Sequence, residues 1–350
     1  MKQVKNNKLS LQLDVSDFLP AGKEEKQSLV IMRESVSFFR DGVRRFKKNK
    51  IAMVSFSIVI IVLIFAFVMP GFYPYSYEQQ IRGSENLAPM QYSQKELDLK
   101  ESGTNVFPHI LGTDSLGRDT MIRLMYGSRI SLLVGLVASV LVFIIGSTYG
   151  SIAGYFGGKV DMIMMRIVDV IYTVPDILII ILLMVTLKYP LEDLANNVPG
   201  FDWINTIGVG LICIFIVFSL LYWVGMARIV RSQILMLKEQ EYVTAARALG
   251  AGHGRIIRKH LLVNSMGALI VTTTLQIPSA IFTESFLSFI GIGVAAPMPS
   301  LGSMAADAIG GIQSYPYRLL APAIMISLII LSFNLLGDGL RDAFDPKLKN

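Results

Sequence analysis

Long apolar runs alternate with short polar ones along this chain, and the runs set the first expectation. A membrane-crossing helix needs about 20 mostly apolar residues. Six stretches meet that length: Ile51–Met69, Ile130–Gly158, Met162–Leu187, Trp203–Ala227, Leu261–Ile290 and Leu319–Gly337. The first, second and fourth carry no charge. The third contains Arg166, Asp169 and Asp176, and the fifth contains Glu284. The pattern predicts an all-α integral membrane protein with six transmembrane helices. Ile51–Met69 starts too far into the chain for a cleaved signal peptide, and Pro70-Gly71 follows it, so it reads as a retained anchor.

Composition agrees with the periodicity. The chain of 350 residues is 53% hydrophobic and 17% charged, and its mean hydropathy is +0.54. A soluble domain is about a quarter charged. The net charge of +6 is explained by basic residues biased to the cytoplasmic flanks rather than by nucleic acid. Arg40, Arg44, Arg45, Lys47, Lys48 and Lys50 precede the first span, which places the N-terminus in the cytoplasm. Six crossings return the C-terminal Arg341, Lys347 and Lys349 to the same side. The loop between the fourth and fifth spans falls there too, with Arg228, Arg231, Lys238, Arg247, Arg255, Arg258 and Lys259. Tyr189–Asp202 and Ser285–Tyr317, predicted outer loops, hold no Lys or Arg.

The expected layout is therefore a cytoplasmic tail over 1–50, a first span over 51–70 and an extracytoplasmic loop over 71–128. A membrane core over 129–340 follows, with its cytoplasmic loop at 228–263, then a cytoplasmic tail over 341–350. The first fifty residues read as partly disordered to about Ser28 and helical from there into the first span.

Chemistry is sparse. There is no G-x-x-x-x-G-K-[ST] phosphate loop; "GGKV" at Gly157–Val160 lacks the first glycine and the hydroxyl. There is no H-E-x-x-H helix, and His109, His253 and His260 are too scattered for a metal site. Cys213, the single cysteine, excludes a disulfide framework. Energy for work on a substrate must come from a gradient or from another chain. Ionisable groups within spans are costly and are candidates for function. Arg166 and Asp169 stand i, i+3, a plausible ion pair. Asp176 follows Pro175, which removes a backbone donor; it either satisfies the kink or faces an aqueous cavity. Glu284, Asn334 and Asp338 are candidates for a pathway or gate, or for helix packing. No chain of acids crosses the bilayer, which argues against a proton-coupled secondary transporter.

The segment "EYVTAARALGAGHGRIIRKHL", Glu241–Leu261, stands out between apolar neighbours. Tyr242, Ala245, Ala246 and Leu249 recur at i, i+3, i+4, i+7, the stripe of a short helix. Gly250, Gly252 and Gly254 then break it, and Ile256, Ile257 and Leu261 begin a second helix. The result is a helix–turn–helix elbow with a small-residue face. Such an elbow suits a groove on another protein. An amphipathic helix lying on lipid headgroups is the alternative, but that would call for bulkier apolar residues than alanine.

This segment resembles the cytoplasmic loop of ATP-binding-cassette (ABC) importer permeases, with its E-A-A-x3-G motif followed by I-x-L-P. Here the stretch is "TAARALG" and then "LLVN", with Thr244 in place of Glu and Val263 in place of Pro. "HILGTDSLGRDTMIRLMYGSRISL", "ESFLSFIGIGVAAPMPSLGSMAADA" and "FNLLGDGLRDAFDPKLK" resemble the C-type permeases of the dipeptide, oligopeptide and nickel group, as does an extra N-terminal span followed by a large loop. The resemblance covers Phe39–Lys349. It implies a type I (MetI-like) core of five helices plus one N-terminal helix. It implies a bacterial plasma-membrane location and a non-enzymatic subunit that binds no cofactor itself. It also implies partners: a second homologous permease, one or two cytoplasmic ATP-binding subunits that carry ATP and Mg, and an extracytoplasmic solute-binding protein. Glu241, Tyr242, Thr244, Ala245, Ala246, Arg247, Leu249, Gly250 and Arg255 would form the ATPase-coupling loop. Peptides are the implied substrate, with nickel chelates or another small solute as alternatives, and an ATP-independent transporter or a membrane scaffold as rival classes.

Overall fold

A computed structural model describes residues 38–344. The region expected to be disordered, up to Ser28, lies outside these residues. By its internal contacts the chain divides after Asp41, and the contacts and sites below belong to the unit that begins at Gly42. Helix α1 spans Phe38–Lys48. Asn49 then separates it from α2, Lys50–Phe67, whose first two free backbone N–H groups, those of Ile51 and Ala52, donate to the Asn49 side chain at 3.1 and 3.2 Å. At 1.5 Å per residue, α2 is about 27 Å long, close to the hydrocarbon thickness of a bilayer.

The loop that follows carries a short helix α3, Gln94–Glu101, closed by a capping box between Ser93 and Glu96. Helix α4 then runs unbroken from Thr120 to Phe156, ten residues earlier than the apolar run suggests. Its 37 residues make it about 55 Å long, so its first turns, with Arg123 and Arg129, extend past the apolar layer.

The predicted third span is the first correction. It consists of two helices, α5 (Gly158–Thr173) and α6 (Asp176–Asn197), bent by 85° at the break. Pro175 lacks the N–H to continue α5. Its ring also drives Val174 into an extended conformation, φ −92° and ψ 137°. The second half continues through Pro190 to Asn197, so much of the predicted loop 189–202 is helical. The predicted fourth span changes as well. Trp203–Ile207 is a separate turn, α7, cut off at Gly208 with φ +96°. The membrane-length segment is α8 (Val209–Leu221) followed by α9 (Trp223–Leu237), ten residues longer at its end than predicted.

The elbow comprises α10 (Glu241–Ala248), the short α11 (His253–Arg255) and a π turn over Ile256–Leu261, which passes directly into α12 (Leu262–Phe289). After α13 (Leu301–Ile309), the chain closes with α14 (Tyr317–Phe344). Among the described residues the only sheet-like feature is an isolated bridge between Thr113 and Asp119. Among the described residues five segments are long and apolar enough to cross a membrane, or six when the bent α5–α6 pair counts as one.

Two of the apolar clusters among the described residues join the membrane helices across the molecule. In one, Val134 and Ala138 of α4 meet Met184 of α6, Phe218 of α8 and Leu287 of α12. In the other, Val59 of α2 meets Leu132 of α4, Leu301 of α13 and Phe333 of α14. The most extensive helix pairing is α4 with α9. Gly146, Gly150 and Gly154 form a row at i, i+4, i+8, and a Cβ on Gly150 would lie 2.4 Å from the Ala227 carbonyl oxygen. Lipid offers no hydrophobic drive for helices to associate, so close backbone approach at small residues supplies the contact instead.

Candidate functional site: the elbow and the cleft

The elbow begins where α9 ends. Helix α10 is short, yet only Val243 of its residues is buried, at 0% exposure. Val243 packs with Tyr155 of α4, Ile234 of α9, and Ile256 and Leu261 of the π turn. This one apolar anchor fixes the helix and turns the rest outward. Glu241, Tyr242, Thr244, Ala245, Arg247, Leu249 and Gly250 are exposed and Ala246 is half-buried. Leu249 is 88% exposed, unusual for a leucine. The stripe read from the sequence is thus an outward face. Val243, which lies outside that stripe, is the inward anchor. Its burial could have been suspected from a β-branched residue in an otherwise alanine-rich turn.

The turn depends on one glycine. Leu249 ends α10, and Gly250 adopts φ +81°. Its N–H donates to Arg247 O at 2.9 Å, and the N–H of Ala251 donates to Ala246 O at 3.0 Å. This is the Schellman arrangement, which satisfies the last helical carbonyls through a left-handed residue. Gly252 and Gly254 play different parts. Gly252 precedes α11 in an extended conformation, φ −67° and ψ 155°, and Gly254 lies within α11. A second tie joins the elbow to α4: the Tyr155 hydroxyl lies 2.8 Å from His253 Nδ1, and the Arg247 guanidinium sits 5.4 Å from the Tyr155 ring centre. Arg255 remains exposed. The π turn carries the chain from elbow to α12 without a break, and Val263, where the resembled motif has proline, lies inside α12.

Ion pairs hold the bent segment against α9. Asp161 accepts from Arg231 Nε and Nη2, one at each carboxylate oxygen, at 2.5 Å each. Asp169 accepts from Arg228 at 2.9 Å, and Arg228 also lies 4.2 Å over the Tyr172 ring. The partner of Asp169 is therefore on another helix. The i, i+3 pairing with Arg166 expected from spacing gives way to it, because Arg228 brings aromatic stacking as well as charge.

At the α5–α6 break lies an open cleft of 760 Å³. Val174, Pro175 and Asp176 form one wall, and Tyr222, Gln276 and Thr283 contribute polar groups to the others. Tyr222 donates to Thr283 Oγ1 at 2.5 Å. Of the two alternatives for Asp176, the cleft wall is where it lies, and its carboxylate also accepts from the Ile177 N–H at 3.1 Å. Glu284, next to Thr283, points the other way. It is wholly buried and accepts from Ser131 at 2.7 Å and Ser288 at 2.8 Å, joining α12 to α4. Asn334 is half-buried and Asp338 exposed on α14, and neither lines the cleft. Tyr222 and Gln276 were not singled out in the sequence, because polar residues in apolar runs carry no signal of which face they occupy.

A long membrane-spanning helix packed through glycines, a broken span lining a cleft, and a clamped, outward-facing elbow define a membrane permease built to work with other chains. Comparison with known proteins agrees. Residues 146–350 match the family described as binding-protein-dependent transport system inner membrane component, and residues 37–89 match the N-terminal transmembrane domain of oligopeptide transport permease C. The chain is 40% identical over 332 residues to the oligopeptide transport system permease protein OppC of Bacillus subtilis, covering 95% of this chain and 97% of that one. It is 43% identical over 328 residues to the dipeptide transport system permease protein DppC of the same organism, covering 93% and 91%. The Escherichia coli K12 OppC is 35% identical, with 90% and 93% covered. In fold, a chain of the inward-facing MetNI methionine ABC transporter aligns at a TM-score of 0.50 with 18% identity, over 65% of this chain and 98% of that chain. The chain belongs to the binding-protein-dependent inner-membrane permease family of ABC importers. It is a multi-pass transport subunit with the type I importer fold, and ATP hydrolysis belongs to separate subunits.

Proposed function

We propose that this chain forms half of the translocation pathway of a bacterial peptide importer, for oligopeptides or dipeptides. A second homologous permease supplies the other half. One or two ATP-binding subunits, carrying ATP and Mg, dock from the cytoplasm, and a solute-binding protein delivers substrate from outside. Both termini, over 1–50 and 341–350, and the elbow within 228–263 face the cytoplasm, while 71–128 faces outward. The basic residues flanking α2 and clustered in the elbow support that orientation.

The observation that carries this reading is the elbow's construction. Its inner side is fixed to α4, α9 and the π turn through Val243 and Tyr155, while on the outer side Tyr242, Ala245 and Leu249 are exposed among the described residues. Small side chains permit close approach by a groove, and Glu241, Thr244 and Arg247 offer polar contacts beside them. A motor that moves α10 moves the ends of α4 and α12 with it, as a rigid body. The cleft beside Asp176 and Tyr222 is the surface offered to the pathway. Glu284 serves helix packing through Ser131 and Ser288, and Asn334 and Asp338 lie on α14 away from the cleft. Peptide rather than nickel chelate or another solute follows the names of the most similar relatives.

Co-reconstitution with the partner subunits tests the reading. Gly250→Val forces a β-branched residue into a left-handed turn, a strain of about 1–2 kcal/mol. Membrane insertion should persist while ATP-driven uptake falls and ATPase activity no longer responds to substrate-loaded binding protein. Uptake at the wild-type level would refute the coupling role. Uptake without any ATPase subunit would instead favour a secondary transporter.

A further inference from the structure

Behind the first turn of α4, away from elbow and cleft, is a small cavity walled by Asp114, Thr120, Arg123, Met304, Asp307 and Arg318. Its volume is 20 Å³, enough for one water-sized particle, for which ~10–15 Å³ suffices, and too small for a carboxylate or a phosphate. Two of its walls end in buried polar atoms with no hydrogen-bond partner, Thr120 Oγ1 and Arg123 Nη1. Both residues are 4% exposed. Leaving a guanidinium N–H unpaired at such a depth is costly, so the cavity calls for an acceptor.

The charge around it says which kind. Arg118, Arg123 and Arg318 are 7%, 4% and 6% exposed, and two carboxylates answer them. Asp114 is taken at 2.6 Å by Arg118 Nε and lies 3.5 Å from Arg123 Nε. Asp307, half-exposed, lies 3.4 Å from Arg118 Nη2 and 3.5 Å from Arg123 Nη2. Arg318 donates to the neutral Asn86 side chain at 2.7 Å and to the Asp307 carbonyl oxygen at 3.4 Å. Three cations thus face two anions, and Arg123 holds only the long contacts. The neighbouring Asp119 cannot help, since its oxygens are engaged by Ile122 N–H, His109 and Tyr73. The N-terminal turn of α4 adds partial positive charge.

We propose that this cavity is a binding site for a single small monovalent anion, chloride under physiological conditions, held by Arg123 Nη1 and the Thr120 hydroxyl. The bound ion completes the charge balance where the 71–119 loop, α4, α13 and α14 meet. A halide accepts from both donors and removes the excess charge; a water molecule satisfies the donors but leaves the charge.

The test uses the full chain in its assembled transporter. Thermal unfolding is followed in sodium chloride, sodium bromide and sodium gluconate at equal ionic strength, and bromide is located by anomalous scattering. Chloride and bromide should raise the midpoint saturably over gluconate, and bromide should give an anomalous peak within hydrogen-bond distance of Arg123 Nη1. Arg123→Gln should weaken the apparent halide affinity by about tenfold or more, and the milder Thr120→Val should weaken it less. Equal midpoints in all three salts, or water density at the site without a bromide peak, would overturn the proposal. The wild-type bromide experiment decides even if Arg123→Gln fails to fold.

Discussion

At its N-terminal end, α4 is sealed into a polar interior; at its C-terminal end, it supports a segment that faces out. Asp119 caps the first turn by accepting from Ile122 N–H at 2.9 Å, and its other oxygen lies 2.7 Å from His109 Nδ1. His109 Nε2 is 3.0 Å from Glu96, which also closes the capping box of α3. Tyr75 stacks on the imidazole with ring centres 4.5 Å apart. His109 is fully buried, with Glu96 and Asp119 close to it in burial. Burial alone would lower the His109 pKa, but the two carboxylates outweigh it and raise it above the ordinary imidazole value. Nothing in this network reaches outward. At the far end, Tyr155 and Val243 hold α10 by few contacts, and nearly all its other side chains are exposed. The contrast teaches that the start of α4 is built into the chain's own packing, while its end carries a segment whose side chains face outward.

The comparison breaks most sharply at His109. His109→Leu leaves two buried carboxylates without their cation and should cost about 3–5 kcal/mol. Limited proteolysis of the 71–119 loop should show it opening while the elbow's protection is unchanged; equal loosening at both ends would show that the ends are not independent. Next comes the shaft between them. Gly150→Val pushes a side chain against the Ala227 backbone and should cost about 1–3 kcal/mol by overpacking, read as a lower denaturation midpoint in detergent. Tyr155→Phe removes the hydroxyl that meets His253 and should cost about 1 kcal/mol. It should raise hydrogen exchange in α10 and leave the loop alone. The smallest effect is that of pH. Because folding raises the His109 pKa, its stabilisation is complete below the ordinary value of about 6.5 and fades as pH climbs through the raised one. Loop protection factors, taken against the intrinsic base-catalysed exchange rate at each pH, should therefore fall at alkaline pH, and His109→Gln should remove that fall.

Particular residues mark how far the sequence could be read. The apolar runs coincided with the membrane-length segments among the described residues, apart from the break in the third and the shifted bounds of the fourth, because span length is a local property of consecutive residues. Pro175 announced a disturbance, but its size, an 85° bend, depends on what α5 and α6 pack against. The row Gly146, Gly150, Gly154 was visible as small residues four apart, a signal for close helix contact that the composition of the run obscured. Asp169 was assigned by spacing to Arg166 and by folding to Arg228, because a neighbour in sequence competes with one brought from 59 positions away. In the sequence His109 stood out only as too far from the other two histidines for a metal site. Its two carboxylate partners come from 13 positions before it and 10 after it, and no periodicity links them.

Length, hydropathy and basic flanks by themselves determined that this is a helical membrane protein. The missing phosphate loop left a gradient or another chain as the energy source, and the resemblance carried by the Thr244–Gly250 stretch pointed to another chain. These are properties of residues close in sequence, where helix period and local charge suffice. Only the tertiary structure decided which face of α10 turns outward, which carboxylates surround His109, where Glu284 points, and that Arg123 keeps an unanswered donor beside a cavity. Each of these depends on long-range packing, in which a side chain's surroundings are set by helices that meet only once the chain has folded.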